Sequence, residues 1–246
     1  MRLSQLSLSC FAVAAALASC TNPTDPALDP DLGREGPSAN AAGYRVYQVT
    51  INNLTHGQPL SPAAVVVHSE GVSLFKVGGA ASEGIRQIAE NGDPSYLVTQ
   101  MTGRDGVADA QATTAPVHRI GGPGATSLTF QVMARGQANR LSLATMLICT
   151  NDGFTGLDGV RLPGGFRPVS YRTNAYDGGT EANSELDGDI VPPCFGIGPT
   201  TGTGGGGRTA TNEPIAMHPG IVGGEALTSA HQWQEKVTSV TIVRIR

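Results

Sequence analysis

Between Arg172 and Arg208 the chain has no Lys or Arg, yet residues 177–189 carry Asp177, Glu181, Glu185, Asp187 and Asp189. Carboxylates crowded together without cations repel one another, and water or a hard cation lowers that energy. A second acidic, glycine-containing turn, residues 150–158, lies just upstream and holds Asp152 and Asp158. Calcium takes roughly six to eight oxygens from carboxylates, carbonyls and water, supplied by flexible loops. Asp177 and Glu181 flank Gly178, Gly179 and Thr180, so the chain can fold back and aim both carboxylates at one point. Asp152 follows a long apolar run, where a rigid element would position it. On this reading the two turns meet around a calcium ion, with Asp152, Asp177 and Glu181 as ligands. Asp158, Glu185 and Asp189 are spare acids. A solvated acidic loop is the plain alternative.

Other chemistry is thin. The sequence holds no G-x-S-x-G, H-E-x-x-H, C-x-x-C or G-x-x-x-x-G-K-[ST]. Its five His residues have no zinc-ligand spacing. His68 and His218 are the ones expected inside, each as a hydrogen-bonded structural residue. Gly202, Gly204 and Gly207 match G-x-G-x-x-G, but no strand precedes them and no helix follows, so no nucleotide site is expected. Basic and aromatic residues are not clustered as nucleic-acid binding requires. No catalytic residue is assigned, and the expectation is a protein that is not an enzyme.

The elements that would hold these turns read mostly as strands. The composition is 33 Gly, 16 Pro, 5% aromatic and 15% charged residues, with a formal net charge of −4. High Gly with low charge favours turns and short strands over long helices. Residues 44–52 alternate as a half-buried strand, and residues 62–68 form a second. In residues 127–133 Leu128, Phe130 and Val132 point inward. Residues 141–149 are almost wholly apolar, as in a central strand covered on both faces. Residues 169–173 lead into Tyr176 and Asp177, and residues 236–246 close the domain with a strong alternating strand. Residues 82–90 are the one convincing helix: Ser82 can cap it, and Ile85, Ile88 and Ala89 share a face. Residues 97–101 read as a short strand, 107–120 are ambiguous, and 200–207 read as a surface loop. The pattern predicts an all-β fold, an antiparallel β-sandwich with one short helix.

The N-terminus reads as an export signal over residues 1–19, with Arg2 ahead of an apolar segment too short to span a bilayer. It ends in Leu17-Ala-Ser-Cys20, which resembles the lipobox of bacterial lipoproteins, with Cys20 as the lipidated residue. An ordinary cleaved signal is the alternative. Residues 20–43 then form a disordered Pro- and Asp-rich tether, and residues 44–246 form the domain. Thr21 after the Cys suits outer-membrane sorting in a diderm bacterium. With Cys10 lost in the signal and Cys20 lipidated, Cys149 and Cys194 remain. In an oxidising compartment they are expected to pair as a disulfide around the acidic stretch, two buried free thiols being the alternative.

Asp152-Gly-Phe-Thr-Gly156 followed by Tyr176-Asp-Gly-Gly-Thr-Glu181 resembles the spondin N-terminal domain family, which carries D-W-x-x-G and then Y/W-D-A-G-T-D. Tyr44-Arg-Val46, the segment from His68 to Phe75, Ala81-Ser-Glu-Gly84 and Ile242-Val-Arg-Ile245 extend the resemblance over the whole mature domain. Gly153 and Phe154 stand where the family has Trp, and Glu181 where it has Asp. The resemblance implies a C2-like β-sandwich holding one calcium on Asp152, Asp177 and Glu181. The expected role is a non-catalytic adhesion or binding module of the bacterial cell envelope, anchored by lipid, with an extracellular protein or glycan as partner. Calcium-dependent docking on anionic lipid and metal-assisted hydrolysis are the alternatives.

Overall fold

Two antiparallel sheets of unequal size pack face to face in the computed structural model, which describes residues 43–191, 194, 197, 208–224 and 226–246. The expected signal, lipidated Cys20 and nearly all of the tether lie outside the described residues, as does the loop read at 200–207. The strands are β1 (Tyr44–Asn53), β2 (Ala64–His68), β3 (Val107–Ala112), β4 (Ser127–Arg135), β5 (Arg140–Met146), β6 (Gly153–Arg161), β7 (Val169–Thr173), β8 (Ala175–Asp177), β9 (Ala216–Met217) and β10 (Thr238–Arg244). The smaller sheet runs β4-β1-β10-β7, and the larger runs β3-β2-β5-β6-β8-β9. The fold is an all-β sandwich.

Residue alternation explains the layers. In β1, Tyr47, Val49 and Ile51 are buried, and β10 answers with Val240 and Ile242 in register, Val49 opposite Ile242. Across the sandwich, Val65 and Val67 of β2 and Leu141 and Leu143 of β5 complete this core. The intervening residues Ala64, Val66 and Ala144 face the other way, into a second core under the helices. Period-two alternation is therefore hidden in β2 and β5, because both faces are apolar for two different reasons.

The second core is closed by α1 (Glu83–Asn91) and α2 (Ser95–Met101). Ser82 caps α1 by accepting from Ile85 N at 3.3 Å, and Ile85 and Ile88 are fully buried. Burying each contributes about 1.5–3 kcal/mol. The segment expected as a strand at 97–101 is instead the end of α2. Asp93 Oδ1 accepts from Ser95 N at 2.8 Å to start the turn, and Leu97 and Met101, four residues apart, are both buried. A five-residue segment with three apolar residues is too short to show a period, and the turn chemistry upstream decides it. Among the described residues no helix is long and apolar enough to cross a membrane.

Candidate metal centre

Asp152 and Asp177 are placed by neighbouring strands. Asp152 ends the short link from β5 and precedes β6, whereas Asp177 is the last residue of β8, and Gly153 pairs with Asp177 in the ladder. The expected acidic turn at 150–158 thus ends at Asp152, and the rest is strand. Glycine makes this possible: a Cβ at Gly156 would lie 2.2 Å from Leu143 O on β5. Behind the two acids Phe75, Phe154 and Tyr176 pack with ring centroids 5.1–5.5 Å apart. This apolar plug fixes the strand ends that carry the carboxylates.

The loop after β8 wraps around Asp152. Thr180 N and Glu181 N donate to Asp152 Oδ2 at 2.8 and 3.1 Å, and Thr180 Oγ1 donates to the same oxygen at 3.2 Å. Asp177 Oδ1 accepts from Gly179 N at 2.8 Å and Oδ2 from Asn183 Nδ2 at 2.5 Å. Gly179 has φ +68°, and a Cβ there would lie 2.3 Å from Glu213 O, so only glycine permits this loop. Asp152 is fully buried, and its Oδ1 has no hydrogen-bond partner. Burial, and then the neighbouring Asp177 carboxylate, push Asp152 up to about 6, against the pull of the Thr180 and Glu181 amides. A buried carboxylate oxygen left unpartnered beside a second carboxylate suits a hard cation.

Glu181 stands differently. Its buried carboxylate lies 3.3 Å from Arg208 Nε through Oε2 and 3.4 Å from Asn151 Nδ2 through Oε1. Burial pushes it up to about 8, although Arg208 pulls it down. The ligand oxygens of Asp152, Asp177 and Glu181 are not all within 4.8 Å of one another. Among the described residues the one His/Cys/Asp/Glu set that meets that spacing is Cys149, Cys194 and His231.

Cys149 and Cys194 are bridged as a disulfide, with Cα atoms 5.4 Å apart. They pack with Ile190 and Leu227 in a small cluster of their own. The expected spare acids have other duties. Asp158 accepts from Ser73 Oγ, Leu74 N and Ser142 Oγ, so it ties down the loop leading to Phe75. Glu185 is buried, and its carboxylate accepts from Val222, Gly223 and Gly224 N at 2.7–2.8 Å. Its backbone has φ +55°, uncommon for a non-glycine residue, and those bonds hold it there. Asp189 is buried too, bonded to Ser184, while Asp187 is exposed. His68 is buried as expected, 2.7 Å from Ser142 Oγ, whereas His218 is only half-buried.

Sequence reasoning missed Asn151 and Arg208. Asn151 Oδ1 accepts from Glu185 N at 3.0 Å, and its amide also reaches Ser184 and Glu181, so it ties the two loops. Arg208 ends the cation-free run, and that was its signal: the first cation after a string of buried acids folds back onto them. A family model described as Spondin_N matches residues 54–184, more than half of the chain. No curated protein matches the chain.

Proposed function

Since the chain belongs to the spondin N-terminal domain family, we propose that it is a calcium-binding, non-catalytic binding module of the cell envelope, held to the membrane by lipid on Cys20. The observation that carries the calcium reading is Asp152 Oδ1, a fully buried carboxylate oxygen without a hydrogen-bond partner, next to Asp177. Asp152 and Asp177 would hold the ion, and Glu181, whose amide bonds Asp152, would join them by turning its carboxylate from Arg208. Bound there, calcium supplies positive charge and oxygen coordination that join the two loops. The chain's own part is to bury Asp152, to saturate its Oδ2 with amides, and to set Asp177 on the neighbouring strand. The site then stiffens a loop face that can present itself to an extracellular protein or glycan. Calorimetric titration of calcium into the purified protein tests this: saturable binding is expected, and Asp177→Ala should abolish it. A wild-type protein that takes up no calcium would sink the reading.

One observation favours a second reading, calcium-dependent docking on anionic lipid. Leu186 is 44% exposed and Val222 is 84% exposed, and Glu185 ties the loops that bear them through the Val222 amide. Apolar tips beside a calcium site suit insertion among lipid headgroups. Co-sedimentation with phosphatidylserine vesicles, with and without calcium, separates this from protein or glycan binding.

A further inference from the structure

Arg208 is a cation that faces one of the proposed ligands, Glu181, at 3.3 Å. Its guanidinium is anchored independently of Glu181: Nη2 donates to Glu90 O at 2.6 Å and Nη1 to Asn91 Oδ1 at 2.8 Å. Both residues lie at the C-terminal end of α1, whose last turn has no basic residue of its own, so Arg208 supplies the cation that end favours. Glu90 Oε2 lies 3.7 Å from Nη1 and is itself paired with Arg86 at 3.1 Å. Arg208 would therefore keep an anchor and a counter-charge if Glu181 left it.

Glu181 is held less firmly. Its side chain is 2% exposed, yet Oε2 forms no hydrogen bond, and neither does Arg208 Nε facing it at 3.3 Å. The contact carries no directed bond, and the Asn151 contact to Oε1 is long at 3.4 Å. Asp152 is joined to Glu181 through the Glu181 amide, which donates to Oδ2 at 3.1 Å. A cleft of about 360 Å³, lined by Arg86, Glu90, Thr180, Glu181 and Arg208 among others, leaves room for the carboxylate to turn.

We propose that Arg208 is an internal counter-cation that competes with calcium for Glu181 and thereby sets the affinity of the site. The inference rests on the calcium reading above. It accounts for the failure of the three acids to converge: the Glu181 carboxylate faces Arg208 at 3.3 Å. It also gives a role to Glu in place of the Asp of the resembling motif, because the extra methylene reaches the guanidinium.

Calorimetric titration of calcium into purified full-length wild type, Arg208→Gln and Glu181→Gln decides the matter. Arg208→Gln is expected to bind about tenfold tighter, on the order of the strongest solvent-screened ion pairs. Glu181→Gln should bind more weakly, and Arg208→Gln added to it should change nothing further. Equal or weaker binding by Arg208→Gln, with wild type binding calcium, overturns the competition and leaves the calcium reading standing. No binding by either protein overturns both. Where Arg208→Gln fails to fold, Glu181→Asp decides alone, since it draws the carboxylate back from Arg208. Tighter binding than wild type supports the proposal, and equal or weaker binding overturns it.

Discussion

At the scale of single residues, the molecule is shaped by carboxylates that are buried rather than solvated. Asp152 titrates well above its ordinary range because burial and Asp177 disfavour its charge. A carboxyl raised in the folded state binds its proton more tightly there than in the unfolded chain. The stability this gives is complete below about 3.8 and is lost as pH rises through about 6. In chelator, melting temperature should therefore fall between these values, and Asp152→Asn should remove that part of the fall. Saturating calcium should reverse the sign, since the ion favours the ionised form. A melt in chelator that rises over this window would contradict the burial argument. Glu185 shows how residue type alone misleads: an acid in a polar run reads as solvated, and only three distant backbone amides make it structural.

At the scale of elements, the fold was legible wherever one face of a strand or helix is apolar and the other is not. β1, β4 and β10 alternate visibly, and α1 shows both its cap and its stripe. Ile88→Ala should destabilise by about 2–5 kcal/mol, measured by denaturant unfolding, because it empties space under the sheet. An effect below about 1 kcal/mol would mean that the helix is not packed as described. α2 was illegible because Leu97 and Met101 are too few to set a period, and Asp93 Oδ1 is what starts the turn. The site was half legible: the Asp turn and the Asp-Gly-Gly-Thr loop announce themselves by type and spacing, but the partners Asn151 and Arg208 are brought in by tertiary structure. Gly179→Ala tests the loop directly. Its φ of +68° and the approach of Glu213 O leave no room for a methyl group. It should weaken calcium binding and lower the melting temperature, whereas wild-type behaviour would show that the loop needs no glycine there.

At the scale of the whole molecule, the sandwich presents one end where the disulfide, the buried acids and the Glu185-bound loop meet. The bridge spans 45 residues, and its loss should cost about 2–5 kcal/mol, read as a lower melting temperature in reductant. Unchanged melting after verified reduction would assign that stability to the surrounding Ile190 and Leu227 packing instead. The proposed lipid on Cys20 predicts an acylated N-terminal peptide by mass spectrometry and release from the membrane in Cys20→Ser. An unmodified Cys20 in the membrane-bound protein would contradict the anchor. Thermal unfolding of the purified protein with and without calcium tests most directly whether calcium joins the Asp152 and Asp177 loops. At about a hundredfold excess over the dissociation constant, the melting temperature should rise by about 5–10 °C. Asp177→Ala should show no rise. An identical melt of the wild type in calcium and in chelator would contradict the account.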